Sequence, residues 1–149
     1  MATHLITGAG AGIGAALAQR LAERGDDLVL LARTDDRAAD LAKEYPGART
    51  VVADLDRPEE LQDALGDALP EGLDSLLHVA GVVELGAVAD LGPEAWAQTL
   101  NVNLLAPAEL TRLALPALRA RQGHVVFVNS GAGLNAHPTW SAYAASKHG

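Results

Sequence analysis

The stretch Thr7-Gly8-Ala9-Gly10-Ala11-Gly12-Ile13-Gly14 constrains this chain more than any other part of it. It follows a short apolar run, His4–Thr7, and opens a segment where Ile13, Leu17 and Leu21 recur at helical spacing, with Gly25 as a C-terminal stop. Glycine admits a tight turn and a close backbone approach that other residues resist. A strand that breaks into a helix through such a loop aims the first helical amides at the turn, where they cradle phosphate. Two patterns fit. Gly10 through Ala15 matches GxGxxA, a short dinucleotide fingerprint, while Thr7 through Gly14 matches the longer and more restrictive TGxxxGxG. The plain alternative, a glycine-rich surface turn, sits poorly between a strand and a helix.

The rest of the chain repeats the same alternation. Apolar runs recur at Leu28–Ala32, Thr50–Ala53, Ser75–Ala80 and His124–Asn129, each apolar on both faces, as in strands covered on both sides. Between them, Pro58-Glu59-Glu60 opens a helical piece carried by Leu61 and Leu65 and ended near Pro70. Pro93-Glu94 opens a longer one through Trp96, Leu100 and Leu104 towards Pro116, which Pro107 should kink or interrupt. Strand, helix, strand in this order implies right-handed crossovers and an α/β fold: a doubly wound parallel sheet with helices on both faces, Rossmann-like. With 149 residues, 49% of them hydrophobic, the chain forms a single domain with a substantial core.

Charge and composition exclude several functions. A net charge of -8 argues against a broad basic face for nucleic acid. No uninterrupted apolar run approaches the ~18 residues of a membrane span, and no cationic leader precedes an apolar run at the start. The absence of cysteine rules out a disulfide scaffold, thiolate zinc and a thiol nucleophile, and fits a reducing cytoplasm, the expected location. The five histidines lack metal-ligand spacing, so no metal site is expected.

Three further features follow in order. Asn103 lies in the long helical stretch, Ser130 stands thirteen positions before Tyr143, and Tyr143-Ala144-Ala145-Ser146-Lys147 is a YxxxK element whose ends share one helix face. With TGxxxGxG these resemble the short-chain dehydrogenase/reductase family, in its shorter-chain subgroup, from Thr7 to Lys147. The resemblance implies an oxidoreductase that interconverts a small-molecule carbonyl and an alcohol by hydride transfer. In it Tyr143 is the proton donor or acceptor. Lys147 favours the phenolate and binds the nicotinamide ribose, Ser130 bonds the substrate oxygen, and Asn103 holds a relay water. A free phenol titrates near ~10, and moving it by ~3 units takes about 4 kcal/mol, which a nearby ammonium can supply.

The implied cofactor set is Gly8, Gly10, Gly12, Ile13, Gly14, Arg33, Asp54, Leu55, Ala80, Gly81, Tyr143 and Lys147. NAD enzymes usually place a carboxylate at the end of the second strand. Here Ala32 stands there with Arg33 next, which favours NADP over NAD. Ala11 occupies a loop position that is often basic in NADP-preferring relatives. Asp35 and Asp36 read as caps of the helix containing Leu41, and Asp54 resembles the family's adenine-binding acid. One departure is plain: the family's NNAG is replaced by His78-Val79-Ala80-Gly81, with His78 expected as a hydrogen-bonded core substitute. Asn135, His137 and Trp140 fall where relatives line the substrate pocket. Dimers or tetramers are implied by family analogy alone.

Two expectations concern the chain as a whole. Relatives continue for roughly a hundred residues past the lysine, through the last strands and the substrate lid, so a longer enzyme is expected. Val125–Val128 would otherwise form an exposed apolar edge, and a single helical turn could not hold Tyr143 and Lys147. The alternative function is a dinucleotide-binding sensor or scaffold that keeps the cleft without turnover.

Overall fold

The computed structural model describes residues 1–149. Five strands, β1 (Thr3–Thr7), β2 (Asp27–Ala32), β3 (Arg49–Val52), β4 (Ser75–His78) and β5 (His124–Phe127), pair in parallel in the order β3-β2-β1-β4-β5. Each crossover carries helix: α1 (Gly12–Glu23), α2 (Asp35–Glu44), α3 (Leu61–Leu65), then α4 (Pro93–Leu100) and α5 (Ala106–Arg121). A last helix, α6 (Ser141–His148), follows β5. The expected doubly wound sheet is present, with strand ends shifted by one or two residues.

Strand alternation explains the two cores. Leu5, Val29, Leu31, Val51 and Leu76 face α3 and α5, where Leu61, Leu65, Leu110 and Ala114 meet them. Ile6, Leu28, Leu30 and Leu77 face the other way onto Ala18 of α1 and Leu41 of α2. Each fully buried leucine contributes about 2 kcal/mol of transfer free energy. Ile13 leaves the expected apolar stripe, since it is 59% exposed. Gly14 and Ala18 form the buried face of α1 instead, with Leu17 and Leu21 partly buried against the core.

The prolines of the long helical stretch behave differently from expectation. The chain stays helical from Pro93 to Arg121, and the interruption is one π turn, Asn101–Leu105, immediately before Pro107. Pro107 has no N–H for the Asn103 carbonyl four residues back, and the wider turn accommodates that gap. Pro116 lies inside α5 rather than at its end. Both Pro116 and Arg112, whose carbonyl loses its donor, are exposed, so water supplies the missing bond.

Two other local readings change. Thr34, not Asp35 or Asp36, caps α2: its hydroxyl accepts from the Arg37 amide at 3.3 Å, and the two aspartates occupy the first turn, where the helix dipole favours them. The Pro58 segment is a short 3-10 turn, Pro58–Glu60, that runs into α3 and breaks at Gly66. The expected exposed edge is real, with Val126 45% and Phe127 58% exposed on β5. The helix carrying Tyr143 and Lys147 nevertheless completes eight residues and buries Ala142, Ala144 and Ser146.

Candidate active site

The strand order reverses between β1 and β4, and in open parallel sheets the crevice above that point is where ligands bind. Here the crevice is a cleft of about 330 Å³ over the carboxyl ends of the strands. Gly8, Gly10, Arg33, Asp54, Leu55, Ala80 and Gly81 line it, seven of the expected cofactor residues. The glycine loop forms its floor. Gly8 has φ +73°, and a side chain there would sit 2.8 Å from the Ala80 amide nitrogen. Thr7 locks the two loops together, its hydroxyl accepting from the Val79 and Ala80 amides at 3.1 Å each.

Gly12, Ile13 and Gly14 do not line the cleft wall but form the first turn of α1. Ala15 is the first residue whose amide finds an intrahelical acceptor, at Ala11. The amides of Gly12, Ile13 and Gly14 therefore stay free at the mouth of the loop, the arrangement that accepts a diphosphate. Gly14 also abuts the Gly8 carbonyl so closely that any side chain would collide with it.

At the second strand Ala32 ends β2 and Arg33 follows on the cleft wall. Asp54 accepts from the Asp56 amide at 3.0 Å, which fixes the turn it starts. Arg37 also lines the cleft, and its guanidinium donates to the Gly10 carbonyl. Nothing in the sequence pattern singled it out; its position four residues after Arg33, in the first turn of α2, was the available signal.

Tyr143 and Lys147 lie one turn apart on α6, with the ammonium nitrogen 5.9 Å from the centre of the phenol ring. Lys147 Nζ donates to the Val128 carbonyl at 3.2 Å and hangs over Gly81, where a methyl group would lie 3.7 Å away. The lysine thus stands at the edge of the cleft beside Gly81, and with Asn103 and Ser146 it lines the adjoining cavity. The Tyr143 hydroxyl bonds nothing in the chain, and its ring meets Trp140 edge-on at 5.9 Å, with the His137 ring tilted against Trp140 at 4.8 Å. Ser130 caps the turn at 131–133, its Oγ accepting from the Ala132 amide at 3.2 Å, and makes no direct bond to Tyr143.

Asn103 is fully engaged. Its side-chain oxygen accepts from the Val82 amide at 2.8 Å, and its amide nitrogen donates to the Val82 carbonyl at 2.8 Å and to Ser146 Oγ at 3.0 Å. Ser146 in turn donates to the Tyr143 carbonyl at 2.7 Å. One polar chain therefore runs from the loop after β4, through the π turn, to the backbone that carries Tyr143. Ser146, 3% exposed, lies buried inside the YxxxK element and ties the Tyr143 backbone to Asn103.

His78 replaces an asparagine of the NNAG pattern and braces the sheet as expected. Its Nε2 lies 3.0 Å from Thr111 Oγ1 on α5, and its ring stacks on Phe127 at 4.8 Å. Because Thr111 donates its own proton to the Pro107 carbonyl at 2.7 Å, Nε2–H must be the donor to Thr111. Burial pushes the imidazole down to about 4.

Comparison with known proteins agrees with this geometry. The family model described as short chain dehydrogenase matches residues 2–149. The chain belongs to the short-chain dehydrogenase family. It is 34% identical over 154 residues to D-beta-hydroxybutyrate dehydrogenase of Cupriavidus necator, covering 99% of this chain and 60% of that one. Among solved structures, an alcohol dehydrogenase from the archaeon Thermococcus sibiricus complexed with 5-hydroxy-NADP superposes with a TM-score of 0.89 at 26% identity, covering 99% of this chain and 66% of that one. A 4-hydroxyisoleucine dehydrogenase complexed with NADH superposes with a TM-score of 0.86 at 29% identity, covering 99% and 63%. The chain spans about half to three fifths of the length of the curated relatives it matches. No helix is long and apolar enough to cross a membrane.

Proposed function

We propose that this chain is the dinucleotide-binding and catalytic half of an NADP(H)-dependent oxidoreductase that interconverts a small-molecule carbonyl and an alcohol. The observation that carries the reading is that Lys147 Nζ lies within reach of both the Tyr143 ring and Gly81, a residue of the cleft wall. That position puts the ammonium beside the bare backbone after β4 with a free phenol close by.

The cleft fits a dinucleotide on its own geometry. Gly8 lets the loop pack against the Ala80 backbone, Gly81 leaves bare backbone beside Lys147, and the free amides of Gly12, Ile13 and Gly14 suit a diphosphate. Arg33 and the absence of a carboxylate at Ala32 favour a phosphorylated adenosine ribose, hence NADP over NAD. Asp54 and Leu55 of the cleft wall would hold the adenine, and Lys147 beside Gly81 would hold the nicotinamide ribose. A reduced nicotinamide, when bound, supplies the hydride to the carbonyl carbon.

The chain's own residues handle the proton. The free Tyr143 hydroxyl donates to the substrate oxygen as that oxygen gains charge. Lys147 makes the departure of that proton easier, because its ammonium stabilises the phenolate left behind. Ser130 Oγ, already held by the Ala132 amide, keeps its own proton for the substrate oxygen. Asn103 has no free side-chain donor, so a relay water near it would bond the main-chain carbonyl, whose α-helical partner Pro107 has no N–H to give. The test is a panel of ketones and aldehydes with NADPH and with NADH, followed by loss of reduced-nicotinamide absorbance in the full-length protein. Turnover with NADPH supports the reading; tight dinucleotide binding without turnover on any carbonyl would favour a sensor instead.

A further inference from the structure

Two loops flank Tyr143: residues 81–92 after β4 and residues 128–140 between β5 and α6. They are joined to each other. Gly86 and Trp140 form an isolated parallel bridge, in which the Gly86 amide donates to the Thr139 carbonyl at 2.9 Å. Thr139 holds φ +65°, a conformation that a β-branched residue keeps only when its surroundings impose it, and the bridge is such a constraint. Trp140 then meets the Tyr143 ring edge-on, so the joined loops end against the phenol.

The side chains of these loops have one chemical character. Val83 and Leu85 are exposed on the first loop together with Val88, which is 75% exposed. Leu134, 82% exposed, directly follows the turn that Ser130 caps on the second. A lone exposed leucine is ordinary; four large apolar side chains on two linked loops beside a free phenol mark a binding surface. Neither loop contains a lysine or an arginine. Their charged residues are Glu84 and Asp90, both exposed, and Glu84 lines a further opening with Asp56 and Glu94. The cation nearest the phenol is Lys147, already bonded to the Val128 carbonyl. A carboxylate on a substrate would lose water here without gaining a guanidinium or ammonium partner from either loop, and Glu84 would repel it.

We propose that these loops receive an uncharged, apolar ketone or aldehyde, its hydrocarbon part lying along Trp140, Leu134 and Leu85, and that they discriminate against carbonyl compounds bearing a carboxylate. The inference rests on the oxidoreductase reading above and adds the substrate class to it. Trp140 is the specificity-determining residue, since it links the apolar loops to the reacting phenol.

The test uses the full-length protein with whichever reduced dinucleotide it prefers. Ethyl 3-oxohexanoate is compared with 3-oxohexanoate, the same skeleton with and without a charge, and methyl ketones are compared over a range of chain lengths. The ester should exceed the acid in kcat/KM by roughly tenfold to a hundredfold, the range for a charged group left without its hydrogen bonds. Each methylene added to the ketone should raise kcat/KM by about twofold to fourfold until the surface is filled. Trp140→Ala should flatten that dependence on length, and Trp140→Phe should restore it. Leu134→Arg should narrow the ratio of ester to acid at least roughly tenfold, chiefly through KM for the acid. An acid used as well as its ester, or a wild type indifferent to ketone length, would overturn the proposal. Failure to reduce any carbonyl would instead refute the oxidoreductase reading. The loops are then judged by calorimetry of ester and acid on the dinucleotide-loaded protein: tighter binding of the ester supports the proposal, and equal binding or none overturns it.

Discussion

His78 makes the stability of the fold depend on pH in a way that one substitution should remove. The imidazole is 5% exposed, stacked on Phe127 and bonded to Thr111, and burial lowers it from an ordinary 6.5 to about 4. A base whose value falls on folding binds its proton more readily in the unfolded chain. Its contribution is therefore complete above pH 6.5 and is lost as the pH falls towards 4. A difference of about 2.5 units corresponds to about 3 kcal/mol, a large share of the stability of an ordinary domain. Asp26, held low by the Ala2 amide, loses its contribution in the same direction but only below the ordinary carboxylate range, so the two effects separate. The assay is urea unfolding of the full-length protein, without dinucleotide, at intervals from neutral pH to pH 4. His78→Gln, whose side-chain amide extends as far as the imidazole Nε2, keeps a donor for Thr111 and removes the titration. Wild type should lose about 3 kcal/mol more than the variant across that interval. Parallel profiles for the two proteins would refute the claim that a neutral buried imidazole braces β4 against α5.

Other substitutions test the site piece by piece. Gly14→Ala forces a methyl group into the Gly8 carbonyl and should destabilise the protein by about 2–3 kcal/mol, measured by urea midpoint, with dinucleotide binding weakened alongside. Asn103→Ala leaves both backbone groups of Val82 unpaired and should cost about 2–3 kcal/mol, seen in the same unfolding assay. Arg33→Ala should weaken NADPH roughly tenfold or more while sparing NADH, read by fluorescence titration; equal use of both cofactors before and after the change would remove the argument for NADP.

Much of the fold was legible because its signals are local. Runs such as Leu28–Ala32 are apolar on both faces, and the observed cores divide along that alternation. The glycine loop was legible because a strand, a tight turn and a helix each leave their own mark. What was not legible depends on which way a side chain or a helix face turns in three dimensions. Ile13 fits the spacing of a core stripe yet faces solvent, because Gly14 and Ala18 are the residues small enough to let α1 sit against the sheet. Pro116 looked like a helix end, and only its exposure on α5 explains why it is tolerated. Arg37 and Ser146 escaped notice for the same reason: one acts through a reach across to Gly10, the other through a bond to the Asn103 amide on another element. Tyr143 and Lys147 announced themselves by spacing alone; that Lys147 reaches Gly81 required the structure.

The proton role of Tyr143 is tested most directly by a single-turnover measurement. Full-length wild type and Tyr143→Phe are each saturated with NADPH, mixed with a carbonyl that the wild type reduces, and followed by loss of reduced-nicotinamide absorbance. The variant should bind NADPH within a few fold of wild type, yet oxidise it roughly a hundredfold to ten-thousandfold more slowly, the usual cost of removing a general acid. Oxidation at the wild-type rate by a protein without that hydroxyl would contradict the account.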